Sequence, residues 1–230
     1  MQIPKIIHQI WSGIDGPLPR LFVALGETWK NQHPEWNYEF WDNTRMVDFI
    51  QQNYPNYWEI FNSYQYNVQR WDVIRYLILY KIGGMYVDFD SECIKSHEKL
   101  LNNKECCFSI EPEEHGWVFN KQLYFNNALM ATVPEHPFVK QLLLKAFDYT
   151  PNNQKHNKVM EVLTTTGPLM IVDLYEKYDK KESITLIESK YVSPLTNNEV
   201  WRIMRGEESD ELEEKIKDAY SIHYFFNTWV

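Results

Sequence analysis

The stretch from Asn67 to Asp90 constrains this chain more than any other. Val68, Trp71, Ile74, Leu77, Ile78 and Ile82 recur at helical spacing, which predicts a helix over Asn67 to Ile82. Gly83 and Gly84 end it, as glycine does at a helix C-cap. Met85 to Phe89 is then an apolar, buried strand running into a polar tail, Asp88 to Glu92. The two glycines bring the helix back tightly onto the acidic end of that strand.

The flanking segments supply the rest of an α/β pattern. Lys5 to Trp11 is apolar and β-branched and reads as a buried first strand. Gly13, Gly16, Pro17 and Pro19 make the loop after it. Leu21 to Gln32 reads as a helix and Trp36 to Trp41 as a second strand. Strand, helix, strand at the start of a chain points to a parallel sheet with a ligand over the strand ends. Helices are expected at Asn43 to Asn53 and Tyr57 to Tyr66, a strand at Cys106 to Ile110, and a mixed stretch at Leu123 to Thr132. A helix is expected at Pro137 to Phe147. Lys158 to Tyr175 reads as helix broken at Gly167-Pro168. Ile184 to Glu188 and Tyr191 to Val192 read as short strands, and Asp210 to Asp218 as a surface helix or loop. With 230 residues and no internal repeat, one domain is expected, carrying a helical segment around 43–66 and a tail at 220–230 that closes on the ligand.

Asp88 and Asp90 are two apart, so on an extended chain both carboxylates point to one side and can hold one cation. Two like charges at the end of an apolar strand are costly without such a partner. Oxygen ligands suit Mg2+ or Mn2+. Asp-x-Asp alone is common, and a solvated turn is the bland reading. Asp72 and Arg75, three apart, share a helical face; the pair can reach a phosphate or sugar oxygen, or be an ordinary ion pair. Trp11, opening the loop after the first strand, can stack on a nucleobase or pack in the core. His8 reads as a hydrogen-bonded core histidine. Asn126 and Asn127 can bond sugar hydroxyls, and Glu111 can face an acceptor.

Bulk properties narrow the classes. A net charge of −9 counts against nucleic-acid binding. Aromatic residues make up 16% of the chain, an excess that suits a site stacking on sugar or base rings. Cys93, Cys106 and Cys107 have no CxxC spacing and read as reduced thiols of a cytoplasmic protein. Met1 to Ile10 lacks the apolar core of a signal peptide.

IPKIIHQIWSG (3–13) and WDVIRYLILYKIGGMYVDFDSEC (71–93) resemble the glycosyltransferases of family 32, which include capsular-polysaccharide transferases and the yeast initiating α-1,6-mannosyltransferase. The resemblance extends more distantly to the glucosylating large clostridial toxins. The match runs through Asp72, Arg75, Tyr76, Gly83, Gly84, Asp88 and Asp90, and departs at Trp71, where a small residue is usual. NNALMATVPEHPF (126–138), TTGP (165–168) and YSIHYFFNTW (220–229) resemble later family blocks.

This resemblance implies a GT-A type, Rossmann-like nucleotide-sugar fold with a mainly parallel central sheet and added helices. It implies a retaining enzyme that moves a hexose or N-acetylhexosamine from a UDP- or GDP-sugar to a hydroxyl of an oligosaccharide or lipid-linked glycan, in surface polysaccharide biosynthesis. The implied metal ligands are Asp88, Asp90 and His223, with Mn2+ (or Mg2+) as cofactor and Asp88 the less direct ligand. Asp72 and Arg75 join the two aspartates as catalytic residues. Trp11, Asp72, Arg75, Tyr76, Asp88, Asn127, Gly167, Thr228 and Trp229 are implied to contact the nucleotide-sugar. The expected place of work is the cytoplasm, at the inner face of the membrane by peripheral association. Two other classes fit the acidic pair: a metal-dependent phosphatase or nuclease recruiting Glu92 and Glu111, and a non-catalytic carbohydrate-binding protein.

Overall fold

The strands run in the sheet order β2-β1-β3-β6-β5-β7, with β1 at Ile6–Ile10, β2 at Asn37–Trp41 and β3 at Gly84–Val87; β5 is Cys106–Ile110, β6 is Phe125–Thr132 and β7 is Thr185–Ile187. A second, two-stranded sheet pairs β4 (Ser91–Cys93) with β8 (Ser221–His223). The computed structural model describes residues 1–150, 157–207 and 209–228. β1 pairs in parallel with β2 and with β3, and β5 pairs in parallel with β7; β6 alone runs against its neighbours β3 and β5. The sheet is therefore mainly parallel, as expected of a GT-A fold. The C-terminal ends of β1, β3 and β5 share one edge, where ligands bind in open α/β sheets.

Helices cover both faces. They are α1 (Arg20–Gln32), α2 (Asn43–Asn53), α3 (Trp58–Ser63), α4 (Asn67–Ile82), α5 (Glu98–Leu101), α6 (Glu113–Trp117) and α7 (Pro137–Ala146). After these come α8 (Lys158–Thr165), α9 (Pro168–Glu176), α10 (Ser189–Val192), α11 (Asn197–Met204) and α12 (Asp210–Ile216). Strand alternation sorts the core. Tyr86, Phe108 and Met130 face a cluster with Ile74, Leu77 and Ile78 of α4 and Phe138 and Leu142 of α7. Met85, Val87, Leu129 and Ala131 face the other side, against Ile7 and Trp29. Val73, Ile74, Leu77 and Ile78 are all 0% exposed. Each contributes on the order of 2 kcal/mol of hydrophobic burial, which holds α4 where its Asp72 and Arg75 meet the sheet edge.

α4 occupies the predicted span, because its boundaries are coded locally. At its start the Tyr66 amide donates to Gln69 Oε1 at 3.0 Å, and Gly83, at φ +73, stops it. Two expectations fail. Tyr191 and Val192 belong to α10, not to a strand. The polar tail after Asp88 is not merely a loop, since Ser91–Cys93 forms β4. That strand is held by contacts distant in sequence: Trp29 Nε1 donates to the Ser91 carbonyl at 2.8 Å, and the Cys93 amide donates to Thr28 Oγ1 at 2.8 Å. All three cysteines are buried and free.

Candidate functional site

β3 delivers Asp88 to the sheet edge, where its amide donates to the Ala128 carbonyl of β6 at 2.8 Å. The chain turns and re-enters as β4, whose Ser91 pairs with His223 of β8. The Tyr224 amide then donates to the Asp90 carbonyl at 2.9 Å. This crossing, 130 residues apart in sequence, brings one ligand atom each from Asp88, Asp90 and His223 within 4.8 Å of one another. His223 Nε2 stands 3.2 Å from Asp90 Oδ1, and Asp90 Oδ2 accepts from the Phe226 amide at 3.0 Å.

The electrostatics fit a cation. Burial raises the pKa of Asp88; Arg75 opposes the rise and the neighbouring Asp90 adds to it. Burial would raise Asp90 too, but the His223 charge, its hydrogen bond and the Phe226 amide outweigh it, so Asp90 is lowered. Burial would lower His223, and Asp90 outweighs it, so His223 is raised. Asp90 and His223 thus each favour the charged form of the other. Buried His223 Nδ1 has no hydrogen-bond partner among the described residues. Two carboxylates and one imidazole, with a ring nitrogen spare, form a donor set suited to Mn2+ or Mg2+.

Arg75 forms the second half of the site. Nη1 donates to the Asn127 carbonyl at 2.9 Å and to Asp88 Oδ1 at 3.2 Å, Nε donates to the Trp71 carbonyl at 3.3 Å, and Nη2 stands 3.4 Å from Asp72 Oδ1. The guanidinium also lies 4.5 Å over the Tyr86 ring. Burial alone would lower its pKa, yet Tyr86, Asp88 and Asp72 push it up. Both carboxylate oxygens of Asp72 are held by protein donors. Its Oδ1 accepts from Asn127 Nδ2 at 2.8 Å and its Oδ2 from Thr166 Oγ1 at 2.8 Å. Burial raises its pKa to about 6 against the pull of Arg75. Tyr86, whose hydroxyl donates to Asp88 Oδ1 at 2.5 Å, completes the network.

These groups open onto a cavity of about 890 Å3, lined by Trp11, Trp71, Asp72, Arg75, Asp88, Asp90, Asn127, His223 and Thr228 among others. Trp11 packs edge-on against Phe22 and Phe89 and donates from Nε1 to the Gly16 carbonyl at 2.9 Å. Tyr76 and Gly167, expected at the ligand, are not among the residues that line this cavity. Tyr76 is fully buried behind the wall, receiving Asn127 Nδ2 and donating to the Thr166 carbonyl. Gly167 packs where a Cβ would sit 3.0 Å from the Val162 carbonyl, which lets α8 turn into α9. Trp229 lies outside the described residues.

Glu92, offered above as an extra metal carboxylate, instead accepts from the Tyr224 hydroxyl at 2.5 Å and is not part of the ligand cluster. Sequence reasoning missed Thr166 and Tyr86 as supports of Asp72 and Asp88. Tyr86 had a signal, lying two residues before Asp88, and Thr166 lies within the TTGP block (165–168) without having been singled out. Asp15, Tyr66 and His115 also line the cavity and were not singled out.

Residues 19–107 match the family described as a glycosyltransferase sugar-binding region containing a DXD motif. Over 181 residues the chain is 30% identical to inositol phosphoceramide mannosyltransferase 1 of Schizosaccharomyces pombe, covering 77% of this chain and 52% of that protein. The chain spans about half the length of this and the related yeast mannosyltransferases it matches. It is 31% identical over 198 residues to an uncharacterized glycosyltransferase of Acanthamoeba polyphaga mimivirus, covering 84% of this chain and 73% of that one. The solved PaToxG glycosyltransferase superposes with a TM-score of 0.54 at 17% identity, over 95% of this chain and 85% of that chain, and so shares the fold.

Proposed function

The chain belongs to the DXD-motif glycosyltransferase family, and from that premise we propose that it is a metal-dependent, retaining hexosyltransferase using a nucleoside-diphosphate sugar. The observation that carries this reading is the convergence of Asp88, Asp90 and His223 beside Arg75 in one cavity. When bound there, Mn2+ or Mg2+ would offset the negative charge that grows on the departing diphosphate.

The chain's own residues do the rest. Arg75, locked by four partners, holds a positive charge beside the same phosphates without reorganising. Thr228 lines the cavity and offers a hydroxyl, and Trp11 lines it at the end of β1, where its ring can stack on the nucleobase. The sugar bond breaks through an oxocarbenium-like state, and the acceptor hydroxyl attacks from the face the diphosphate leaves, giving its proton to that phosphate. Net retention follows.

The relatives named for inositol phosphoceramide make a mannosyl donor and a polyol-bearing lipid the first pair to try, ahead of UDP-hexoses and glycan acceptors. A lipid-linked acceptor would place the work at a membrane face, reached by peripheral association. No described helix is long and apolar enough to cross a membrane.

The test incubates the protein with GDP-mannose, UDP-glucose, UDP-galactose or UDP-N-acetylglucosamine, with Mn2+ or with EDTA. Metal-dependent release of nucleoside diphosphate from one donor is expected. Release of inorganic phosphate instead would favour a phosphohydrolase, and no release from any donor would refute the reading.

A further inference from the structure

Glu111 is a carboxylate in the cavity that the metal site and the arginine network do not use. It follows β5, and β5 runs parallel to β3, so Glu111 and Asp88 emerge on the same sheet edge. One strand, β6, separates β3 from β5, which sets the two backbones roughly 10 Å apart. Trp11 emerges from β1, on the other side of β3. Glu111 therefore sits across the metal cluster from the nucleobase end, and it is not itself among the clustered ligand atoms.

The side chain is 8% exposed, yet it lines the cavity. Its Oε2 accepts from His115 Nδ1 at 2.6 Å, and among the described residues Oε1 takes no hydrogen bond. His115 Nε2 accepts from the Asn197 amide at 3.1 Å. That bond puts the ring proton on Nδ1, aimed at Glu111. Asn197 opens α11, whose start is fixed by a capping box of Thr196 and Glu199. α6 itself is seated tightly, since a Cβ on Gly116 would meet the Lys121 carbonyl at 2.6 Å. The Phe225 ring bridges to the metal cluster, with its centroid 4.8 Å from His115 and 4.1 Å from His223.

An ionised carboxylate fixed by one oxygen, with the other free, accepts hydrogen bonds from hydroxyls and repels anions. We propose that Glu111 Oε1 holds the attacking hydroxyl, that of a neutral polyol ring in transfer or of water in hydrolysis, and that His115 is the residue that positions Glu111. No atom leaves or joins Glu111 in this role; it only accepts a hydrogen bond. The inference rests on the glycosyl-transfer reading above.

The experiment measures steady-state hydrolysis of whichever of the four nucleotide-sugars the Mn2+-loaded wild type cleaves fastest. Glu111→Gln should lower kcat roughly tenfold to a hundredfold, the range for losing a hydrogen bond to a charged group, while the donor KM stays within about twofold. His115→Ala should lower kcat about tenfold. His115→Asn, whose amide can donate from near the Nδ1 position, should recover most of that loss. A kcat within twofold of wild type in Glu111→Gln overturns the proposal. So does a donor KM that rises in step with the fall in kcat, because Glu111 would then belong to the donor site, and so does a His115→Asn protein no better than His115→Ala. A wild type that cleaves none of the four donors defeats the glycosyl-transfer reading itself, and this inference with it.

Discussion

Replacing Gly84 with alanine adds one methyl group where the chain leaves α4 and enters β3. Gly84 has φ +99, and a Cβ built there lies 2.7 Å from the Ile6 carbonyl of β1 and 3.1 Å from both His8 Nε2 and Ile6 Cβ. Two costs follow. The backbone conformation costs an alanine about 1–3 kcal/mol. The contact with a backbone oxygen cannot be relieved by a rotamer change, and overpacking of this kind costs about 1–3 kcal/mol more. Restricting the unfolded chain returns roughly 0.4–1 kcal/mol. The net loss should be about 1–6 kcal/mol, a large part of a domain's total stability.

Gly206 separates the two costs. Its φ is +79, but nothing lies within 4 Å of its Cβ position, so Gly206→Ala should bear the backbone cost alone and lose about 0–2.6 kcal/mol. Urea unfolding of both variants gives the comparison, and Gly84→Ala should lower the midpoint by about 1 M or more at unchanged slope. If Gly84→Ala is no less stable than Gly206→Ala, the argument that the β1 carbonyl sets the limit at position 84 is wrong.

Other outcomes are expected. Asp90→Asn removes a ligand and the charge paired with His223, so Mn2+ binding measured by calorimetry should weaken at least about a hundredfold; affinity within threefold of wild type would remove Asp90 from the metal site. Arg75→Lys keeps the charge but cannot reproduce contacts to Trp71, Asn127, Asp72 and Asp88 together, so kcat/KM for nucleoside diphosphate release should fall roughly a hundredfold. Rates within threefold would contradict that. Burial pulls the pKa of His8 from 6.5 down to about 4. Its folded-state pKa is depressed, so the unfolded chain binds the proton first, and the stability His8 confers is present above pH 6.5 and lost as pH falls towards 4. The difference in unfolding free energy between wild type and His8→Gln should therefore shrink by about 2–3 kcal/mol from pH 7 to pH 4.5, and a pH-independent difference would show that His8 is not held neutral.

Local signals carried much of the fold into the sequence. α4 is legible because the Tyr66–Gln69 bond at its start, its apolar spacing and its glycine stop all lie within the segment. β3 is legible because a strand covered on both faces is a continuous apolar run, and β1 because its isoleucines mark it despite the buried His8 and Gln9. β4 is not, because three residues such as Ser-Glu-Cys have no pattern of their own; it is a strand only because it pairs with β8 and because Trp29 and Thr28 of α1 hold it. Tyr191 and Val192 illustrate the converse, since β-branched and aromatic character favoured a strand while the fold placed them in a one-turn helix.

The aspartate pair shows the same division. Alternation along a strand predicts two carboxylates on one side, but β3 ends at Val87 and Asp90 lies in the turn that leads to β4, so alternation is not what brings them together. What made them a site was His223, brought opposite Ser91 by strand pairing, and Arg75, turned onto Asp88 by Asp72, Asn127 and Tyr86. The sequence by itself determined the local pieces: the helix, its stop, the strands and the spacing of the acids, all set by interactions within a few residues. Only the tertiary structure decided which side chains meet. It moved Tyr76 behind the wall, turned Glu92 onto Tyr224, and left one oxygen of Glu111 without a partner among the described residues. Such contacts depend on strand order and register, which are fixed by packing over the whole sheet and have no signature in any short stretch of chain.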